Sequence, residues 1–213
     1  MLVHPFVSPV DFALIVHPHE VRSTVGTAWI LRRSISNLHW FRSKGPDLDT
    51  QNRFLQLVQM PGLTPFLLFP GPQSANLSED PDPPWKGPIT FQNRPLFIIL
   101  DGTWLQARSM LRKSKVLQSL RRVSFKTRQP SEYQFKKQPH PLCLSSVEGA
   151  HRVIEIVSNR GWASPPPHRA HDQMIEIFRK LVRSQIEAEG ASNFSISQAK
   201  TAEAARLKAR SFK

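Results

Sequence analysis

The chain reads as an α/β domain in which a mostly parallel sheet is flanked by helices. Three observations predict this. The apolar runs Phe12–Val16, Pro65–Phe69 and Pro95–Leu100 carry no charge and are too short for packed helices, as expected of strands buried on both faces. Segments with helical spacing alternate with them. Each run also ends in turn chemistry: His17-Pro18-His19-Glu20, Pro70-Gly71 and Asp101-Gly102-Thr103-Trp104.

Taken in order, Phe12–Val16 is the first strand. Val21–Ile35 then shows helical spacing at Val25, Ala28 and Trp29, and Asn37–Phe41 is a second strand. Asp49–Met60 places Phe54, Leu55, Leu57 and Val58 on a short helix closed by Pro61-Gly62, and Pro65–Phe69 follows as a strand. Residues 72–94 are rich in Pro, Asp and Asn without a period, which predicts a long surface loop pinned by Trp85. Pro95–Leu100 is the central strand. Thr103–Ser114 is a helix with Ala107, Met110 and Leu111 on one side and Arg108, Arg112 and Lys115 sharing another. Arg122–Phe125 is a short strand, Ser131–Gln138 a basic loop, and a helix runs from Glu148 to Asn159. After Pro165-Pro166-Pro167, a last amphipathic helix spans His171–Glu187. Residues 1–189 are read as one domain and 190–213 as a basic, flexible tail.

Composition narrows the function. With 29 Lys plus Arg against 16 Asp plus Glu, the formal net charge is +13, which points to a polyanionic partner. Ten basic residues lie between Gln106 and Lys137, opposed only by Glu132. One cysteine, Cys143, excludes an internal disulfide and suits a reducing compartment; its apolar Leu-Cys-Leu setting suits inert packing. No stretch approaches the roughly 18 apolar residues of a membrane span, and Met1–Pro9 lacks the layout of a signal peptide. A cytoplasmic protein without a membrane role is expected.

Ligands of open parallel sheets gather beyond the strand C-termini. Three loops qualify: Phe69-Pro70-Gly71, Asp101–Trp104 and Leu144–Glu148. Neither a G-x-G-x-x-G turn nor a Walker phosphate loop is present, so a nucleotide-like ligand has to be held by these loops.

The block Asp101-Gly102-Thr103-Trp104-Leu105-Gln106-Ala107 resembles the D-x-T-W-x-x-A signature of the DTW-domain family, the tRNA-uridine aminocarboxypropyltransferases. Further blocks resemble that family in the same order: His17–Glu20, Leu67–Gly71, Tyr133–Pro139 and Leu144–Glu148. The resemblance spans about Phe12 to Val157. It implies a SPOUT-like fold with a knotted C-terminal cofactor site, S-adenosylmethionine as donor of its 3-amino-3-carboxypropyl group, and a tRNA uridine as acceptor. By the same resemblance Leu68, Phe69, Pro70, Gly71, Asp101, Gly102, Leu142, Leu144, Ser145, Ser146 and Glu148 hold the donor, and Asp101, Thr103 and Trp104 serve catalysis. Arg108, Arg112, Lys115, Lys136 and Lys137 are expected to meet tRNA. The N-terminal cysteine cluster of many relatives is absent and Gly149 replaces their usual alanine, so no metal is expected. The assembly is a monomer or homodimer.

Removing the imide proton of uracil asks for a stronger base than a carboxylate of pKa about 3.9. Desolvation at a strand tip supplies one, and general-base help is worth roughly 10²–10⁴-fold. Asp101 fits that role, and also that of a helix cap. Trp104 suits stacking on a base or packing under its helix. Ser145 and Glu148 have the spacing of a capping box at a helix start suited to a carboxylate. His17 and His19 form a relay or simply shape a turn. Two other functions fit the same charge: a SPOUT-type RNA methyltransferase and a non-catalytic RNA-binding module.

Overall fold

The computed structural model describes residues 4–20, 27–127, 130–133 and 143–188. Among them, six strands form one parallel sheet in the order β2-β1-β5-β3-β6-β4. The strands are β1 (Asp11–Val16), β2 (Leu38–Arg42), β3 (Leu63–Leu68), β4 (Ala75–Asn76), β5 (Arg94–Asp101) and β6 (Arg121–Ser124). β5 pairs with β1 on one side and β3 on the other, and every residue from Pro95 to Asp101 is buried.

Both faces of the sheet are covered, which is why its strands show apolar runs rather than alternation. Phe12, Leu14 and Val16 of β1, Phe66 of β3 and Phe97 and Ile99 of β5 pack with α1 (Ala28–Ser34), α5 (Ser146–Asn159) and α6 (172–188). Their neighbours Ala13, Ile15, Leu67, Ile98 and Leu100 pack with α2 (Asn52–Val58), α3 (Trp104–Lys113) and α4 (Lys115–Ser119). Each large side chain so buried contributes about 1.5–3 kcal/mol. Trp85 is 5% exposed and meets Phe97, Phe66 and Trp162 edge-on at 6.2, 6.2 and 5.4 Å, so it pins the loop as expected. No described helix is long and apolar enough to cross a membrane.

The structure corrects several boundaries. The Val21–Ile35 helix is described only from Ala28, and residues 21–26 lie outside the described residues. Asp49–Met60 divides into a 3₁₀ turn, Pro46–Thr50, and α2. The 72–94 loop contains β4, which pairs with β6 at the sheet edge. The expected knot depends on the path through 134–142, outside the described residues, as are Lys136, Lys137, Leu142 and the tail from 190.

The largest correction concerns the basic ridge. Lys115 does not share a helix with Arg108 and Arg112, because Ser114 turns extended (φ −102°, ψ 120°) and ends α3 while capping α4. The cause is tertiary. Asp49 accepts the Ser114 hydroxyl at 2.6 Å and the N–H groups of Lys115 and Val116 at 2.9 and 3.1 Å, satisfying orphan donors of α4.

Burial pushes the Asp49 carboxyl up, but these three hydrogen bonds outweigh it and hold it below its ordinary value. A carboxylate lowered by folding stabilises above its unfolded pKa of about 3.9 and loses that contribution as pH falls through the folded value. Asp49→Ala is therefore expected to cost about 1 kcal/mol at neutral pH, with the gap from the parent closing below about pH 4; denaturant unfolding across pH measures it. Gly149 sits inside α5, where an added Cβ would meet only Leu68 Cδ2, at 3.8 Å. Gly149→Ala is expected to stabilise by about 0.5–1 kcal/mol, read from the same unfolding curves.

Candidate active site

Asp101 closes β5, level with Val16 of β1. Its carbonyl accepts the His17 N–H at 2.8 Å, so the turn after β1 lies against the strand tip. The side chain is carried out of bulk water, with the residue 6% exposed. Ser146, first residue of α5, donates its hydroxyl to Asp101 Oδ1 at 2.5 Å. Two helices thus begin beside one carboxylate: α3 directly after it and α5 through Ser146. Their N-terminal partial positive charges favour an anion there.

Both helix starts are closed capping boxes. Thr103 Oγ1 accepts the Gln106 N–H at 3.2 Å while Gln106 Oε1 accepts the Thr103 N–H at 2.7 Å. Ser145 Oγ accepts the Glu148 N–H at 3.4 Å, and Glu148 Oε2 accepts the Ser145 N–H at 2.8 Å. Glu148 also takes the Ser131 hydroxyl at 2.7 Å and the Glu132 N–H at 2.8 Å. Its carboxylate is therefore committed to fastening the 130–133 segment onto α5. Gly102 has a steric reason: a Cβ there would lie 3.0 Å from Gln106 Oε1 and 3.3 Å from His17 Cβ.

A cavity of about 240 Å³ opens beside this tip. Phe69 and Trp104, with ring centroids 5.7 Å apart and tilted by 58°, form one part of the wall. Leu144, Ser146 and Gly149 also line it, together with Leu68, Ile99, Leu100, Ala107 and Val123. Of the residues expected around a donor, Leu68, Phe69, Pro70, Trp104, Leu144 and Ser146 line this cavity; Gly71, Asp101, Gly102, Thr103, Ser145 and Glu148 are not among its lining residues. Asp101 reaches it through Ser146. Phe125, Thr127 and Cys143 line it too, a role that periodicity could not reveal because they lie in irregular segments.

Tyr133 is near enough to Asp101 to feel its charge. Burial, with the negative charges of Glu20 and Asp101, pushes its phenol up to about 12, so it is a hydroxyl donor at physiological pH. Its ring packs edge-on against Phe178 of α6 at 5.6 Å. His17 Nδ1 accepts the His19 N–H at 3.4 Å, which is the turn-shaping role. Burial and the positive charges of His19, Lys44 and Lys113, against Glu20, hold His17 below the ordinary imidazole value. Arg108, Arg112 and Lys115 are all exposed. Arg42 and Lys44, at and just beyond the end of β2, join Pro18 and His19 around a second cavity of about 430 Å³. The sequence hid that basic group because its members are over twenty residues apart in the chain.

The DTW domain model matches residues 2–186. The chain belongs to the DTW domain family. It is similar to a protein named tRNA-uridine aminocarboxypropyltransferase 2 from Macaca fascicularis, 25% identical over 169 residues, covering 75% of this chain and 51% of that protein. It is also similar to the protein of the same name from Drosophila melanogaster, 26% identical over 151 residues, or 70% and 57% of the two chains. A Mus musculus protein of that name is 31% identical over 93 residues, or 43% and 28%. The chain thus spans about half the length of the first two relatives. No solved structure matches it.

Within this DTW domain, Ser146→Ala removes a hydrogen bond to a buried charge-bearing group. It is expected to lower stability by about 1.5–3 kcal/mol, measured by denaturant unfolding at neutral pH.

Proposed function

We propose that this chain transfers the 3-amino-3-carboxypropyl group of S-adenosylmethionine to the imide nitrogen of a tRNA uridine. The observation that carries this reading is Asp101, a buried carboxylate hydrogen-bonded to Ser146 of the cavity wall. The family membership and the relatives' names support it.

The donor supplies a sulfonium, whose neighbouring carbon is electrophilic because a neutral thioether leaves. The cavity's chemistry suits such a molecule. Phe69 and Trp104 offer aromatic surface to an adenine, and the apolar lining from Leu68, Ile99 and Leu144 excludes water. Ser146, at the start of α5, offers N-terminal N–H groups and a positive helix end of the kind that holds a carboxylate.

Asp101 takes the N3–H proton of uracil as that nitrogen attacks the carbon next to sulfur. The N–C bond forms, the C–S bond breaks with its electron pair on sulfur, and methylthioadenosine departs. Ser146 orients the carboxylate for this transfer. The exposed Arg108, Arg112 and Lys115, with Arg42 and Lys44 of the second cavity, supply positive charge for phosphates.

Incubation of the full chain with tRNA and labelled donor is expected to yield methylthioadenosine and labelled uridine. Asp101→Asn is expected to lower the rate by about 10²–10⁴-fold while donor binding, measured by calorimetry, persists. S-adenosylhomocysteine as the product would instead establish methyl transfer. An Asp101→Asn rate equal to that of the parent would remove the assigned base.

A further inference from the structure

Away from the cavity, four donors converge between α5 and the start of α6. His151 and Glu155 are one turn apart on α5 and so share a face. His171 and Asp172 come from the start of the next helix. One ligand atom from each of the four lies within 4.8 Å of all the others. The closest pairs are His171 Nε2 to Glu155 Oε1 at 2.6 Å and His151 Nε2 to Asp172 Oδ1 at 2.9 Å, with His171 Nε2 to Asp172 Oδ1 at 3.6 Å.

Arg169 neutralises part of this group. Its guanidinium meets Asp172 Oδ2 at 2.7 Å and Glu155 Oε1 at 2.9 Å. Two carboxylates face one guanidinium, so a chain of net charge +13 keeps an anionic pocket here. Arg169 is half exposed, at 53% of its side chain, whereas His171 is wholly buried. The cation can leave while the imidazole stays. Arg169 and His168 also sit at φ of 53° and 51°, a left-handed conformation that L residues rarely adopt.

We propose that His151, Glu155, His171 and Asp172 form a binding site for one divalent transition-metal ion, zinc above all, which displaces Arg169 from between the carboxylates. Zinc takes imidazole nitrogen and carboxylate oxygen tetrahedrally at about 2.0–2.2 Å, which sets neighbouring donors about 3.3–3.6 Å apart. The observed separations bracket that range. Two imidazoles argue against calcium and magnesium, which take oxygen ligands. An open cleft of about 930 Å³ lined by Glu132, Glu148, His151, Arg152, Glu155 and Arg179 gives the ion an approach.

The ion would be structural. His151 follows Ser146 by five residues on α5, about 7.5 Å along the axis. Binding would lock the helix that carries Ser146 to α6. The proposal stands independently of the transfer reading.

The full chain, stripped with EDTA, is titrated with Co²⁺ and separately with Zn²⁺. One saturable equivalent, the visible absorption of tetrahedral Co²⁺ and a rise in Tm with Zn²⁺ are expected. His151→Gln, a partly exposed position, is expected to weaken binding at least tenfold. Arg169→Gln is expected to strengthen it at least tenfold, since the competing cation is gone. Absence of saturable binding, or binding unchanged in His151→Gln, overturns the site. So does an Arg169→Gln variant that loses thermal stability without gaining Co²⁺ affinity, because the four residues are then only a clasp bridged by arginine.

Discussion

The structure depends on the pairing of β5 with strands on both sides. Held by β1 and β3 and covered by two layers of helices, β5 cannot shift register without moving Phe97 and Ile98 to the wrong faces. That fixed register sets the height of Asp101 against Val16 and the His17 turn. Position sets this aspartate apart: it sits buried at the strand tip, where Ser146 donates to it.

Everything around the strand tip serves to hold that position from a second direction. α5 begins at Ser146, and its first turn is tied by Glu148 to Ser145, Ser131 and Glu132. α6 is tied in turn through Glu132 to Arg179 at 2.8 Å and through Tyr133 to Phe178. Burial would raise the Glu132 carboxyl, yet the Arg179 hydrogen bond is larger and the carboxyl lies below its ordinary value. The exposed rim of this pair limits its worth to about 1 kcal/mol or less, so its role is alignment more than stability. The four-residue cluster proposed for a metal adds a further tie between the same two helices.

Much of this was readable before the fold was known. Uncharged runs such as Pro95–Leu100 announce strands covered on both faces, and Asp101 through Ala107 announces the tip. The Ser145–Glu148 spacing announces a capping box, and the structure closes it. What the chain conceals is what distance in sequence brings together. The break at Ser114 has no proline or glycine to mark it, because its cause is Asp49, 65 residues earlier. The basic group of His19, Arg42 and Lys44 comes from two separate strand ends. His151, Glu155, His171 and Asp172 come together across the chain reversal that contains the triple proline, a juxtaposition that spacing along the chain does not display.

Gly102 carries a mechanical consequence. With only hydrogen at its α-carbon, the start of α3 packs closely on the turn after β1, and a Cβ there would crowd Gln106 at 3.0 Å and His17 at 3.3 Å. A side chain at this position would have to push apart the two connections that flank Asp101, so the tight closure of the loops over that carboxyl group depends on the absence of one.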